Sequence, residues 1–422
     1  MREKYKIPAD YYIIFCICAL LIVLALIFDA PDQMLINYYR INTSRSVLVT
    51  DYVALAGLGA ALVNSAISGI FYLILLVFNR CKPNGKIIAS LFVTMGFSLF
   101  GKNMFNTLPI LAGVWLYARF RRHQFSDLLA QAMLAATIAP LVSEIAFLDE
   151  CVSWTKIIAA YGVGVFVGFI FPVLAESVKK MHGGYCLYNS GIAGGFIATF
   201  FVGILRSVGI DVLPESFWDT SHTLLLAAFA YTVAAMLIAY GIATDKPVNA
   251  YNKFKQLLNE KDLDEHDYLT KYGVTCYVNI GIMCIVSTSV VLLLGIPVNG
   301  PVLGGIFTVS GFSASGKHLR SVAPILLGSI AATYLNHLEV ADPANALAIL
   351  FSTGLAPVSG KHGWQWGIAV GFLHVSVAVF IGHLNGGLNL YNNGFAESFV
   401  AITVVPLILF FRERFPRSPK AP

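Results

Sequence analysis

The stretch NGKIIASLFVTMGFSLFGKNMFNTLPILAG at residues 84–113 returns at 299–328 as NGPVLGGIFTVSGFSASGKHLRSVAPILLG. A constant offset of 215 with no gap aligns them, and twelve positions coincide: Asn84, Gly85, Phe92, Gly96, Phe97, Ser98, Gly101, Lys102, Pro109, Ile110, Leu111 and Gly113. Beyond a small gap Ala139-Pro140 recurs as Ala356-Pro357, and GGYCLYNSG at 183–191 recurs as GGLNLYNNG at 386–394. Shared apolar composition supplies stray Leu and Ile matches. It does not supply collinear N-G, G-F-S-x-x-G-K, P-I-L, A-P and L-Y-N-x-G in one order, so the chain is read as an internal duplication.

The duplication is embedded in a very apolar chain. Of 422 residues 57% are hydrophobic and 12% charged, and the mean hydropathy is +0.73. An ordinary globular chain carries roughly 25% charged residues, so soluble, disordered and secreted disulfide-scaffold readings are excluded. At ~20 residues per span the length accommodates about 12–14 helices. Apolar stretches can be drawn at 11–28, 52–78, 87–101, 107–118, 126–147, 157–175, 185–205, 222–243, 269–295, 301–315, 322–335, 343–357, 364–383 and 388–411. The seven cysteines, at 16, 18, 81, 151, 186, 276 and 284, show no paired metal or redox spacing and read as small buried hydrophobes. No small-residue cleavage site follows the first apolar run, so an uncleaved first span is expected.

Alternating the spans from an inner N-terminus places only Arg40, Arg45, Lys102, Lys156 and Arg206 outside, leaving the other 23 of the 28 Lys and Arg inside. That bias predicts a multi-pass cell-membrane protein with both termini cytoplasmic. The net charge of +5 therefore reflects sidedness, and no nucleic-acid partner is expected. The stretches 87–101, 107–118, 301–315 and 322–335 are short for a ~30 Å hydrocarbon core. They read either as tilted or broken spans or as re-entrant hairpins. Under both options the corresponding positions are an odd number of spans apart, which predicts halves of inverted topology. The expected fold is thus an all-α integral membrane protein of two inverted repeats. Its boundaries are 1–206 for the first half, 207–271 for a connector with a span at 222–243 and a cytoplasmic linker at 244–271, and 272–422 for the rest of the second half. The linker sequence FKQLLNEKDLDEHDYL reads as a short amphipathic helix.

Candidate binding residues follow from the breaks. In Gly96-Phe-Ser98-Leu-Phe-Gly101-Lys102-Asn103 and Gly311-Phe-Ser313-Ala-Ser-Gly316-Lys317-His318 the glycines interrupt a helix, and the next half-helix begins with unpaired N–H groups. A lysine beside that end makes an anion site, and intramembrane ionisable residues are functional by default. A plain loop lysine facing water is the bland alternative. The same spacing fills the first seven positions of a phosphate-binding loop, but both copies lack the Ser/Thr for Mg²⁺ and the strand–helix context, so ATP binding is not expected. Matched Asn64 and Asn279 are either interhelical hydrogen-bonders or ligand contacts. Tyr188-Asn189 and Tyr391-Asn392, after Gly-Gly pairs, are helix caps or cavity-lining donors. Glu144 and Glu397, carboxylates in apolar surroundings, are candidates for ion coupling, with a fixed buried partner as the alternative. Two facing Gly-Phe-Ser-x-x-Gly-Lys breaks near the midplane would place both lysines in one anion centre. His374 reads as a packing residue. No metal set, nucleophile–base pair or cofactor fingerprint stands out, so neither a cofactor nor an enzyme is expected.

The arrangement resembles the inverted-repeat secondary transporters, and the chain as a whole resembles an uncharacterised family of polytopic bacterial membrane proteins, a domain of unknown function. The L-Y-N-x-G and T-L-P-I-L segments are similar to the G-Y-N-G and Leu-Pro segments of urea transporters, although their order within a repeat differs. The resemblance to inverted-repeat carriers implies a secondary transporter of a small solute working by alternating access, and the two lysines beside half-helix starts point to an anionic one. A passive channel for a small neutral or anionic solute stands second and a membrane-embedded enzyme third. The expected partners are the solute or ion and the lipid bilayer, with a homo-oligomer left open.

Overall fold

A computed structural model describes residues 6–147, 153–212, 216–261 and 267–414. Arg2, Lys4, Cys151, Arg417 and Lys420, which enter the sequence argument, lie outside those segments. Twenty α-helices make up the described chain, and they fall into two series of ten. The first is α1 (Ala9–Phe28), α2 (Pro31–Asn42), α3 (Tyr52–Ala56), α4 (Leu58–Phe78), α5 (Gly85–Phe97), α6 (Met104–Arg121), α7 (Phe125–Ala135), α8 (Ala139–Phe147), α9 (Trp154–Met181) and α10 (Asn189–Ser207). The second is α11 (Thr223–Asp245), α12 (Pro247–Leu257), α13 (Tyr268–Tyr272), α14 (Cys276–Leu293), α15 (Gly300–Gly311), α16 (Leu319–Leu335), α17 (Pro343–Phe351), α18 (Ala356–His362), α19 (Trp364–Leu384) and α20 (Asn392–Arg414). Short 3₁₀ turns join α7 to α8 and α17 to α18 at the same place in both series.

Among the described residues nine helices, counting the α7–α8 and α13–α14 composites as one each, are long and apolar enough to cross a membrane. At 1.5 Å per residue the 13-residue α5 is only about 20 Å long, and α15 is similar, so the short elements expected from sequence are real. Several boundaries differ from expectation. The stretch 52–78 is split by Gly57 at φ 83° into α3 and α4. The stretch 107–118 extends to Met104–Arg121. Among the described residues the linker helix is Pro247–Leu257, and residues 262–266 of the expected helix lie outside the described segments.

Local sequence explains where the short helices begin. The Asn-Gly pairs are caps: Asn84 Oδ1 accepts from the Ile87 amide at 2.8 Å and Asn299 Oδ1 from the Val302 amide at 3.1 Å. After each break the next helix is capped again. Asn103 and Asn106 exchange side-chain-to-backbone bonds at the start of α6, and the His318 amide donates to Ser321 Oγ at the start of α16.

The two series pack alike. Helix α6 lies on α9 and α16 on α19, α1 on α4 and α11 on α14. A Cβ on Gly113 would stand 2.1 Å from the Val165 carbonyl oxygen, and one on the matching Gly328 2.0 Å from that of Ile368. Backbones that close are the reason small residues sit in membrane helix interfaces.

Helices α5 and α15 cross antiparallel at the centre. Gly85, the first residue of α5, abuts the Ala314 carbonyl beyond the end of α15, whereas Gly300, the first residue of α15, abuts Leu99 beyond the end of α5. Gly96 and Gly304 touch between them. The starts of α10 and α20 meet reciprocally: a Cβ on Gly191 would lie 2.6 Å from the Tyr391 oxygen, and one on Gly394 2.7 Å from the Tyr188 oxygen. These central glycine contacts are reciprocal between the two series.

Candidate functional site

The two breaks have one construction. Asn64 donates its amide to the carbonyls of Ser98 and Lys102 at 2.6 and 2.8 Å, and Asn279 donates to those of Ser313 and Lys317 at 2.8 and 3.0 Å. Both asparagines are fully buried. They satisfy carbonyls that the broken helix frees, which is the interhelical role, and this structure gives their donors no ligand to hold. Gly101 and Gly316, at φ 76° and 86°, turn the chain where a Cβ would be strained.

The lysines do not converge. Because α5 and α15 are antiparallel, each break stands at the far end of the pair, and the ammonium groups of Lys102 and Lys317 share no hydrogen-bond partner. The expectation of one centre holding both lysines is therefore corrected: there are two separate sites. Lys102 Nζ donates to the Met133 carbonyl at 3.1 Å and Thr94 Oγ1 at 3.3 Å, and lies 5.4 Å from the Tyr72 ring centre. Lys317 Nζ donates to Tyr188 Oη at 2.7 Å and Thr353 Oγ1 at 3.1 Å, with the Tyr188 ring at 4.8 Å. Ser313 Oγ turns back to the Val309 carbonyl, so it is not a donor beside the lysine. Ser98 Oγ differs, being buried with no bonded partner, so its hydroxyl is free to donate.

The Lys317 site is built from both series. Tyr188 and Cys186 come from the segment before α10, and Lys317, Thr353, Gly354 and Glu397 come from the second series. Glu397 is fully buried, accepting from the Gly354 amide at 3.1 Å and the Cys186 thiol at 3.2 Å. Lys317 and Glu397 are fixed by adjacent residues of one 3₁₀ turn, Thr353 and Gly354, without forming an ion pair of their own. Tyr188 stacks on Tyr391 with ring centres 5.3 Å apart, and Phe312 and Phe97 meet these tyrosines edge-on at 4.8 and 4.7 Å. The aromatic square is symmetric while the charges around it are not. Where the Lys317 site has Cys186, Gly354 and Glu397, the Lys102 half has Asn389, Thr137 and Gly194. Thr137 Oγ1 bonds Asn389 Oδ1 at 2.8 Å.

Glu144 is elsewhere. Arg45 holds it with two bonds, Nε to Oε2 at 3.1 Å and Nη2 to Oε1 at 2.8 Å, so it has the fixed partner that was the alternative to a coupling role. His318 Nε2 faces the Glu260 carbonyl at 3.0 Å, which ties the start of α16 to the linker. Asn189 is a cavity wall: it donates to the Ala175 carbonyl at 3.0 Å and meets His182 Nε2 at 3.1 Å. Asn392 accepts from Asn385 at 2.7 Å in the equivalent place. Among the described residues no group of three His, Cys, Asp or Glu side chains is arranged to hold a metal.

A cavity of about 350 Å³ opens on the Lys86 side of the molecule. Lys86, Lys179, His182, Asn84, Asn189 and Asp267 line its walls. Two further lining residues, Cys186 and Phe312, also touch the buried cluster through Glu397 and Tyr188. One layer of side chains separates the cavity from Lys317 and Glu397.

Sequence reasoning passed over one matched pair. Asp51 caps α3 and takes the Asp219 amide at 2.8 Å, beside Gly300. Asp267 caps α13 and takes the Gly85 amide at 2.8 Å. Each anchors the start of the opposite series' short helix. Its signal was present as Asp51-Tyr52 with Gly57 and Asp267-Tyr268 with Gly273, at the edge of the repeat.

Fold and cavity together define a multi-pass α-helical membrane protein. Residues 30–207 and 246–410 match the family described as "Protein of unknown function (DUF1576)", and the chain belongs to that family. Neither the curated proteins nor the solved structures yield a match.

Proposed function

We infer that the protein is a secondary transporter of a small anionic solute, coupled to protons at Glu397. In this reading the two series are inverted halves that alternate access to the Lys317 site, in a cell membrane with both termini cytoplasmic. The observation that carries the reading is the lysine-lined cavity whose floor is the wall of a buried lysine–glutamate site. The antiparallel crossing of α5 and α15 and the reciprocal contact of Gly191 with Gly394 support the inversion. The excess of Lys and Arg on one side supports the orientation. Binding sites near the middle of inverted repeats, beside broken helices, suit carriers of this kind. A cavity that ends against Phe312 and Leu187 favours a carrier over a passive channel.

The chemistry of coupling follows from the charges. An incoming anion and the Glu397 carboxylate compete for one ammonium, and two anions beside it repel each other. A proton on Glu397 removes that competitor, so anion and proton enter the site together. The test is concentrative uptake into proteoliposomes of monocarboxylates, dicarboxylates and inorganic phosphate under an imposed pH gradient. Wild-type protein is expected to concentrate at least one of these, Glu144→Gln to do so with unchanged pH dependence, and Glu397→Gln to lose the response to the gradient. Equal pH-driven accumulation by Glu397→Gln refutes the coupling, and no accumulation of any member by wild type refutes the transporter.

A further inference from the structure

We propose that the solute leaves through a second vestibule, closed in this structure, on the face opposite the Lys86 cavity, and that its mouth is lined by uncharged amides. This rests on the transporter reading and specifies the other half of its pathway. The relation between the two series carries residues of the open cavity onto counterparts. Asn84 maps to Asn299, Lys86 to Pro301, Lys179 to Gly382, His182 to Asn385, Cys186 to Asn389, Asn189 to Asn392 and Asp267 to Asp51, whose carboxylate is tied down as the cap of α3.

The mapping is structural as well as sequential. His182 and Asn385 both follow the last residue of a long helix, and both bond the asparagine seven positions on. Asn84 and Asn299 both cap a short helix. The backbone that forms an open cavity on one face therefore exists on the other, with its lining packed away. Asn299 and Asn392 are buried where their counterparts Asn84 and Asn189 are partly exposed, and Asn385 and Asn389 are completely buried. Each of these amides has a partner inside the protein, and opening of the vestibule exchanges those partners for water.

The counterparts also differ in charge. Both lysines of the open cavity are replaced by Pro301 and Gly382, and His182 by Asn385. The open cavity carries two lysines against one carboxylate, Asp267, and an excess of one sign raises the local concentration of the opposite ion. The open mouth thus gathers anions, while the closed one passes them without electrostatic capture.

Charged thiol reagents test both parts. Asn189→Cys and Asn392→Cys are placed separately in the full chain and reacted with an anionic or a cationic methanethiosulfonate, in intact cells and in inverted membrane vesicles. Labelling is read site by site by mass spectrometry, so the native cysteines stay. Asn189→Cys is expected to label from one face, with the anionic reagent favoured about tenfold. Asn392→Cys is expected to label more slowly, from the other face, with the two reagents within about twofold of each other. Asn299→Cys serves as the second probe should Asn392→Cys fail to reach the membrane as a folded protein. Labelling of both counterpart positions from the Asn189 face, or of neither from any face, overturns the second vestibule. A strong anionic preference at position 392 overturns its neutral character. If opposite-face labelling appears but proteoliposomes move no solute, the vestibule stands and the transporter reading falls.

Discussion

Replacing Lys317 by Met separates binding from folding. The change keeps the length of the side chain and removes one buried ammonium, together with its bonds to Tyr188 and Thr353. Those two hydroxyls lie 3.2 Å apart and remain each other's partners, so no buried polar group is stranded. Glu397 keeps its bonds to Gly354 and Cys186 but loses its nearest buried ammonium, and removing one charge of a buried pair costs up to about 3–5 kcal/mol, so unfolding is followed beside binding in the same assay. Binding is another matter. A hydrogen bond to a charged group is worth about 1.5–3 kcal/mol, which is a loss of about ten- to a hundred-fold in Kd. Lys102→Met is the internal control, because Lys102 touches Thr94, Met133 and Tyr72 and none of the Glu397 cluster. Its effect on affinity is expected to stay within about threefold, below 1 kcal/mol. The assay is thermal unfolding of purified protein against a concentration series of carboxylates and phosphate, since a ligand selective for the folded state raises the midpoint by mass action. Wild type and Lys102→Met should show the same midpoint rise with the binding anion, and Lys317→Met should need much higher concentrations. Equal losses in the two variants would restore a shared lysine centre, and unchanged affinity in Lys317→Met would remove that lysine from the site.

Two further outcomes test the architecture. Asn64→Ala and Asn279→Ala each strand two buried carbonyls, so each should destabilise the protein by about 1–3 kcal/mol and by similar amounts, measured by thermal unfolding in detergent; a large effect in only one would break the equivalence of the halves. Gly191→Ala puts a methyl 2.6 Å from the Tyr391 oxygen, and overpacking of that kind costs about 1–3 kcal/mol. Gly203→Ala, in the same helix with open space around it, should cost little on the same assay.

Much of this was legible because a duplicated chain repeats its constraints. The N-G caps, the G-F-S-x-x-G-K breaks and the matched asparagines all recur in sequence, and each does the same work twice. The pairing of lysines was misjudged because an alignment shows which residues are equivalent, not which are neighbours. Lys317 faces Tyr188 rather than Lys102 because α5 and α15 run antiparallel, and direction in space is absent from a one-dimensional repeat. Cys186 was passed over because it reaches the site from the other series, and Thr353 because it lies 36 residues from Lys317 on a separate 3₁₀ turn. Glu397 was visible as the exception, a carboxylate where the first half has Gly194, and the asymmetry between the two sites begins there. The ion pair that holds Glu144 was hidden because Arg45 lies 99 residues away.

Counterflow tests the central claim most directly. Proteoliposomes are loaded with a high concentration of the unlabelled anion, diluted into a trace of the same anion in labelled form, and followed with time. A carrier that alternates access to the Lys317 site predicts a transient overshoot of labelled anion above its equilibrium level, absent from Lys317→Met vesicles. Monotonic equilibration without overshoot, at a rate that ignores the internal load, would contradict it.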